Sequence, residues 1–245
     1  MIAAIVQIRM GSTRLPKKAF LDLCGQPLIY HVVSRLQQCK NLDQIIVATT
    51  DNKIDDDIEE WCDRNKIVCF RGDEEDVLKR YYNCATAFGV DIIVRITGDD
   101  PFKDFNLIDE AVECAVVNKL DFVCNNSPVT YPEGLDVEVI TYNVLKQIHE
   151  NANKPEHREH VTLYIHENKS AFRVQNLADS IDRSSYRWTI DYPKDYQFVK
   201  VIYEELFEEG KLFQSQEIYN LLRLKPELQL INNSLKKSML YEKRD

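Results

Sequence analysis

Ile5-Val6-Gln7-Ile8-Arg9-Met10-Gly11-Ser12-Thr13-Arg14-Leu15-Pro16-Lys17-Lys18 is the stretch around which the chain is organised. Its apolar lead-in, Ile2 to Ile8, is short and β-branched, which predicts a buried strand. The run breaks at Gly11. Beyond it, hydroxyls, amides and four cations (Arg9, Arg14, Lys17 and Lys18) crowd into one short loop. A helix candidate opens near Pro27, where proline suits a first turn. Strand, polar cationic loop and helix are the parts of a polyphosphate cradle, in which backbone N–H groups and Arg or Lys side chains neutralise several phosphate oxygens at once. On this reading Gln7, Arg9, Gly11, Ser12 and Thr13 are candidate nucleotide contacts, with Arg14 and Lys18 as candidate catalytic cations. The alternative is a strand followed by a solvated basic loop. The stretch is neither a Walker loop nor a G-x-G-x-x-G turn, for it has too few glycines.

The bulk properties narrow the field. A chain of 245 residues predicts one large domain, or one with an insertion. With 44% hydrophobic and 29% charged residues it has the material for an ordinary core. The net charge of −9 leaves no electrostatic footprint for nucleic acid. No apolar window approaches a membrane span, and the N-terminal run is too short and wrongly flanked for a signal peptide. The seven cysteines, at 24, 39, 62, 69, 84, 114 and 124, form no C-x-x-C pair. They read as reduced, buried hydrophobes of a cytoplasmic protein, and a zinc site is not expected.

Strand and helix patterns alternate up to about residue 124. Strands are expected at 44–48, 67–70, 91–96 and 121–124, and helices around 28–39, 54–65, 73–88 (with an acidic first turn) and 105–118. This rhythm argues for a mixed, mostly parallel α/β sheet sandwiched by helices. Ligands bind such sheets at the carboxyl ends of the strands, so the loops 9–18, 49–51, 71–76 and 97–101 should share one rim. Further on, strands are expected at 134–140, 171–177 and 187–190. Helices are expected at 141–151, 155–167, 191–207 and 214–224. The last twenty or so residues are expected to be loosely held.

Several acids follow strands on or near that rim. Asp99, after Thr97 and Gly98, stands where Mg²⁺ would bridge protein and phosphates, and Asp191, after Trp188-Thr189-Ile190, is the natural second metal ligand. Each has a plain alternative as a turn or helix-cap aspartate. Asp136 and Glu138 lie two apart on a predicted strand and so share a face, suited to a cation or a sugar hydroxyl or simply to solvent. Thr50 and Gly98 are rim candidates for the nucleotide, and Arg71, Asp76 and Arg80 are rim candidates for nucleotide or substrate, with ordinary surface charges as the alternative. His157 and His160 lie at i, i+3 on a predicted helix, and a solvated helix start is their bland reading.

With these residues in hand, the chain resembles the nucleotidyltransferases of the cytidylyltransferase group, which includes the synthetases of CMP-activated 3-deoxy-octulosonate and acylneuraminate. It is most similar to the branch named after a spore-coat polysaccharide biosynthesis protein. That branch's Q-A-R-M-G-S-T-R-L-P-G-K is matched from Gln7 to Lys18, with Ile8 for alanine and Lys17 for glycine. A glycine there allows a positive-φ backbone that a lysine adopts only at some cost. R-I-T-G-D-x-P is matched at Arg95–Pro101 and Y-P-x-G-L-D-V-E-V at Tyr131–Val139. E-H-V-T-x-Y-I is matched at Glu159–Ile165 and R-W-T-x-D-x-P-x-D at Arg187–Asp195.

The resemblance implies a nucleotide-diphospho-sugar-transferase (GT-A-like) domain over 1–224. Residues 1–124 would be its nucleotide-binding half, 125–207 its acceptor-binding and homodimer-contact half, and 225–245 a tail. It implies that Arg14 and Lys18 hold a triphosphate, that Asp99 and Asp191 bind Mg²⁺, and that Asp136, Glu138 and His160 face the acceptor. The expected reaction is CMP transfer from CTP to a sugar acid or sugar phosphate, with release of pyrophosphate. A glycosyltransferase of the same fold and a non-enzymatic nucleotide sensor are the alternatives.

Overall fold

The structure, a computed structural model, describes residues 1–235. The first half runs β1 (Ile2–Gln7), a hairpin of β2 (Asp22–Leu23) and β3 (Gln26–Pro27), α1 (Leu28–Leu36), β4 (Gln44–Thr50) and α2 (Asp56–Asn65). β5 (Val68–Gly72), α3 (Val77–Phe88), β6 (Ile92–Thr97), α4 (Phe105–Val117) and β7 (Phe122–Cys124) complete it. The second half comprises β8 (Glu138–Thr141), α5 (Tyr142–Asn151), α6 (Pro155–Glu159), α7 (Leu163–Glu167), β9 (Val174–Asn176), α8 (Pro193–Leu206) and α9 (Ser215–Leu224).

Seven strands form one sheet in the order β5-β4-β1-β6-β8-β7-β9. β5, β4, β1 and β6 are parallel neighbours, β8 runs antiparallel to both β6 and β7, and β9 is parallel to β7. One reversed strand in a parallel sheet is the expected mixed architecture. β1 shows why its sequence is apolar without alternation. Ala4 and Val6 pack on one face with residues of α1, α2 and α4, while Ala3 and Ile5 pack on the other with α3 and α5. A third cluster, built on Phe102, Trp188, Phe198 and Tyr203, fixes α8 and α9 against the β2–β3 hairpin and the segment after β6. Because β1, β4, β5 and β6 are parallel, their carboxyl ends lie along one edge.

Four segments differ from expectation. The acidic residues before α3 are a turn, not its first turn: Asp73 accepts from the N–H groups of Glu75 and Asp76, and Asp76 caps Lys79. The expected strand 134–140 is only its last part, β8. Leu135 O and Val137 N are bonded by the Asn125 side chain instead of a ladder, and Gly134, at φ +108°, approaches the backbone of Trp188 and Thr189 so closely that a Cβ would sit 2.8 Å from Thr189 N. The expected helix 155–167 breaks at 160–162, turning the Thr162 hydroxyl inward to Glu138. Residues 187–190 are not a strand. A single bridge to Glu133 and bonds to Glu133 and Asp99 carbonyls hold them as a crossing segment.

The cysteines are free thiols, of which Cys62, Cys84 and Cys124 are buried as expected and the other four only partly so. Among the described residues, no helix is long and apolar enough to cross a membrane.

Candidate active site

The loop after β1 is shaped by its backbone and by one buried acid. Ser12 N and Lys17 N both donate to Met10 O, at 2.9 and 3.0 Å, folding the loop back on itself. Met10 N donates to Asp55 Oδ1 at 2.7 Å, and the other Asp55 oxygen accepts from the Thr50 N–H and hydroxyl. Asp55 is 1% exposed, so this carboxylate is satisfied wholly within the protein and ties the loop to the end of β4. At Lys17 the chain takes the left-handed conformation, φ +58°, at the position where the resembling branch carries glycine. The lysine accepts the strain rather than relieving it.

The fold of this loop delivers Lys18 and Arg14 to two carboxylates from elsewhere in the chain. Lys18 Nζ lies 2.6 Å from Asp99 Oδ2, 3.2 Å from Asp191 Oδ1 and 3.1 Å from the Ile190 carbonyl. Arg14 Nη2 donates to Asp191 Oδ1 at 3.0 Å, and its guanidinium lies over the Tyr192 ring. Asp99 reaches this point because β1 and β6 converge. Gly98 N donates to Gln7 O, and a Cβ on Gly98 would stand 2.7 Å from the Ile8 side chain, so only glycine fits. The Ile190 N–H donates to Asp99 O at 2.9 Å and brings Asp191 alongside.

Burial alone would lower the Lys18 pKa, but the Asp99 and Asp191 charges outweigh it and hold the ammonium above its ordinary value. Burial would likewise raise Asp99, and Lys18 reverses this and holds it below the usual carboxylate range. Behind the pair, Arg187 is sealed among Glu133, Asp195 and Asp191. The neighbouring Asp100 faces inward to Lys103 and Thr97, and burial pushes its pKa up to about 6.

A cleft of about 720 Å³ opens over this point. Of the sequence candidates, Gln7, Arg9, Ser12, Thr13, Arg14, Lys18, Asp99, His160 and Asp191 line it. Others do not. Arg71 turns back from the rim to pair with Asp56 and Glu59 at 2.6 and 2.8 Å, so it braces α2. Thr50 is buried on Asp55, and Gly98 serves strand packing. Asp136 and Glu138 do converge, both accepting from Asn126 Nδ2, but beneath the cleft. There Glu138 pairs with Arg95 at 2.7 Å. Gly11 is outside the lining as well, close to the Glu74 carboxylate.

Arg80, a rim candidate from the sequence, lines the cleft, whereas Asp76 does not; Arg95, Glu74 and Glu159, to which the sequence gave no role, line it too. Arg80 is 2% exposed, and its Nη1 donates to the Asp73 carbonyl. A groove of similar volume between Asp43 and α4 lies at the opposite end of β1, and its Asp109 carboxylate is spent on the Lys40 and Asn41 N–H groups.

A cationic loop leaving β1 meets Asp99 just past the end of β6 and Asp191 beside it in the cleft, an arrangement suited to a nucleotidyltransferase. The chain belongs to the cytidylyltransferase family, whose model matches residues 3–226. It is 35% identical to the spore coat polysaccharide biosynthesis protein SpsF of Bacillus subtilis, over 92% of this chain and 95% of that protein. A cytidylyltransferase structure from Leptospira borgpetersenii superposes with a TM-score of 0.90 at 30% identity, covering 96% of this chain and 99% of that one. The 3-deoxy-manno-octulosonate cytidylyltransferase of Geobacter sulfurreducens is 33% identical over 45% of this chain and 44% of its own length.

Proposed function

We propose that the enzyme transfers CMP from CTP to a sugar acid or sugar phosphate, releasing pyrophosphate, with Mg²⁺ as cofactor, in building surface polysaccharide or glycoconjugate. The observation that carries this reading is the meeting of Arg14 and Lys18 with Asp99 and Asp191 on the cleft floor. Arg14 and Lys18 would neutralise the β- and γ-phosphates as pyrophosphate leaves, with Arg9 and Ser12 adding donors.

The donor set suits a hard divalent cation. Asp99 Oδ2, Asp191 Oδ1 and the Ile190 carbonyl already converge on one positive charge, the Lys18 ammonium. Asp99 and Asp191 would hold the ion, which would offset charge on the reacting phosphates.

The acceptor would approach from the side of Glu159 and His160, where the break between α6 and α7 reaches the cleft. In-line attack by an acceptor oxygen that is already ionised needs positioning more than a general base. Residues 125–207 would supply acceptor contacts and the contact of a cytoplasmic homodimer.

The test is pyrophosphate release with Mg²⁺, each nucleoside triphosphate in turn, and a panel of sugar acids and sugar phosphates. The reading predicts release with CTP and one acceptor class. Release with another nucleotide alone, or transfer of sugar from a nucleotide sugar, would overturn it.

A further inference from the structure

Two carboxylates and two cations on long side chains meet on the cleft floor, and their charges cancel. Asp191 Oδ1 receives both Arg14 at 3.0 Å and Lys18 at 3.2 Å, and Asp99 Oδ2 receives Lys18 at 2.6 Å. The third cation nearby, Arg187, contributes little to this balance, because Glu133 and Asp195 hold it at 2.7 and 3.0 Å. We propose that Lys18 and Arg14 are internal counter-ions standing in for a divalent cation, and that they exchange Asp99 and Asp191 for the triphosphate when nucleotide and metal bind together. This rests on the nucleotidyltransfer reading above and adds to it an order of events.

Three observations carry it. The exchange keeps the protein groups paired: one divalent ion replaces two monovalent ones at the carboxylates, and both released cations meet the phosphates, so neither the buried carboxylates nor Lys18 is left without a counter-charge. The carboxylates cannot make a strong metal site alone, since among the described residues no group of three or more His, Cys, Asp or Glu side chains is placed to hold a metal ion. A small hard cation held by two protein carboxylates takes its remaining ligands from phosphates and water. Finally, the lysine has the means to move. Its ammonium sits at the end of a flexible stem, with side-chain exposure of 14% in the cleft wall, and Arg14 is half exposed.

The exchange implies that metal without nucleotide must compete with Lys18 and binds weakly. Removing the ammonium should therefore strengthen binding of the bare metal while impairing the nucleotide. The test is titration of the full-length protein with Mn²⁺ alone, followed by electron paramagnetic resonance, in wild type, Lys18→Met and Arg14→Met. CTP binding is measured on the same samples by calorimetry.

Lys18→Met is expected to bind Mn²⁺ about tenfold more tightly than wild type, within the usual range of site–site coupling. Arg14→Met should shift the same way by a smaller factor. Adding Asp99→Asn to Lys18→Met should abolish the gain. Unchanged or weaker Mn²⁺ affinity in Lys18→Met overturns the exchange. Should that variant not fold, the Arg14→Met result decides by its direction. Wild type that fails to bind CTP at all would instead sink the nucleotide site itself, so the two failures are distinguishable.

Discussion

Two ion-pair clusters share Asp191 and differ in almost everything else. In the first, Arg187 is 7% exposed and is gripped by Glu133, Asp195 and Asp191; Asp195 also accepts from the Asp191 and Tyr192 N–H groups at the start of α8. In the second, Lys18 and Arg14 reach Asp99 and Asp191 from a loop, at the edge of a cleft. The sealed cluster has more partners than charges need, which fixes a crossing segment that has no ladder of its own. The open cluster has as many charges as it balances, and both its cations stand within reach of a ligand. Redundancy marks the structural network, and a near balance of charge marks the candidate site.

The comparison can be broken most sharply by Asp99→Asn. It should lower turnover by about 10³–10⁵-fold, the scale on which charge-stabilising groups act in phosphoryl transfer, while the melting temperature moves by only a few degrees. Steady-state pyrophosphate release and calorimetry check both halves. A collapsed fold with normal specific activity in the surviving fraction would reverse the roles of the two clusters.

Arg187→Met should do the opposite. It strands buried carboxylates, which typically costs about 3–5 kcal/mol, and denaturant unfolding should register the loss whether or not nucleotide is present.

Acid separates the clusters from the core. His31 is buried, its ring against Tyr203 and its Nε2 on the Leu23 carbonyl, and burial pulls its pKa down to about 4. The unfolded chain, with an ordinary histidine near 6.5, binds this proton first, so the His31 contribution to stability falls as pH drops from about 6.5 towards 4, while Asp100, raised to about 6, contributes in the opposite sense below that pH. Asp99, held low by Lys18, adds its loss only below the ordinary carboxylate range. Melting temperatures across this window should show the upper slope flattened in His31→Gln and unchanged in Asp99→Asn.

The smallest effect is expected at Lys17. Glycine would relieve a left-handed residue worth roughly 1–2 kcal/mol, partly offset by the greater freedom of the unfolded chain. Lys17→Gly should thus stabilise by about 1 kcal/mol or less, measured by urea denaturation.

Much of this was legible in the sequence. Short apolar runs separated by helical periodicities gave the parallel half, because β1 and β4 are buried on both faces and β6 is apolar apart from Arg95 and its last residue, Thr97, while the edge strand β5 is only partly buried. The meeting of the loop after β1 with Asp99 was legible because both follow strands at which the chain must turn, whereas Asp191 follows a segment, 187–190, that reads as a strand and is not one. What could not be read was direction. Arg71 stands at the end of a strand like a rim residue, yet it turns to Asp56 and Glu59, a choice made by α2. Asp136 and Glu138 share a partner as their spacing suggested, but Arg95 and Thr162 close over Glu138 from distant parts of the chain. Asp55 looks like one acid among three at a helix start, and only the fold brings the Met10 N–H to it. Between β7 and α8, apart from α5, the second half consists of three- to five-residue elements and segments tied by side chains such as Asn125, which leave little periodicity to read.

The most direct test of the central claim is calorimetric titration of CTP with Mg²⁺ into wild type and an Arg14→Ala/Lys18→Ala double variant, alongside Arg187→Lys as a fold control. The account predicts saturable 1:1 binding to wild type and to the control, and loss of binding in a double variant that remains folded. Equal binding in the double variant would show that the loop after β1 does not hold the triphosphate.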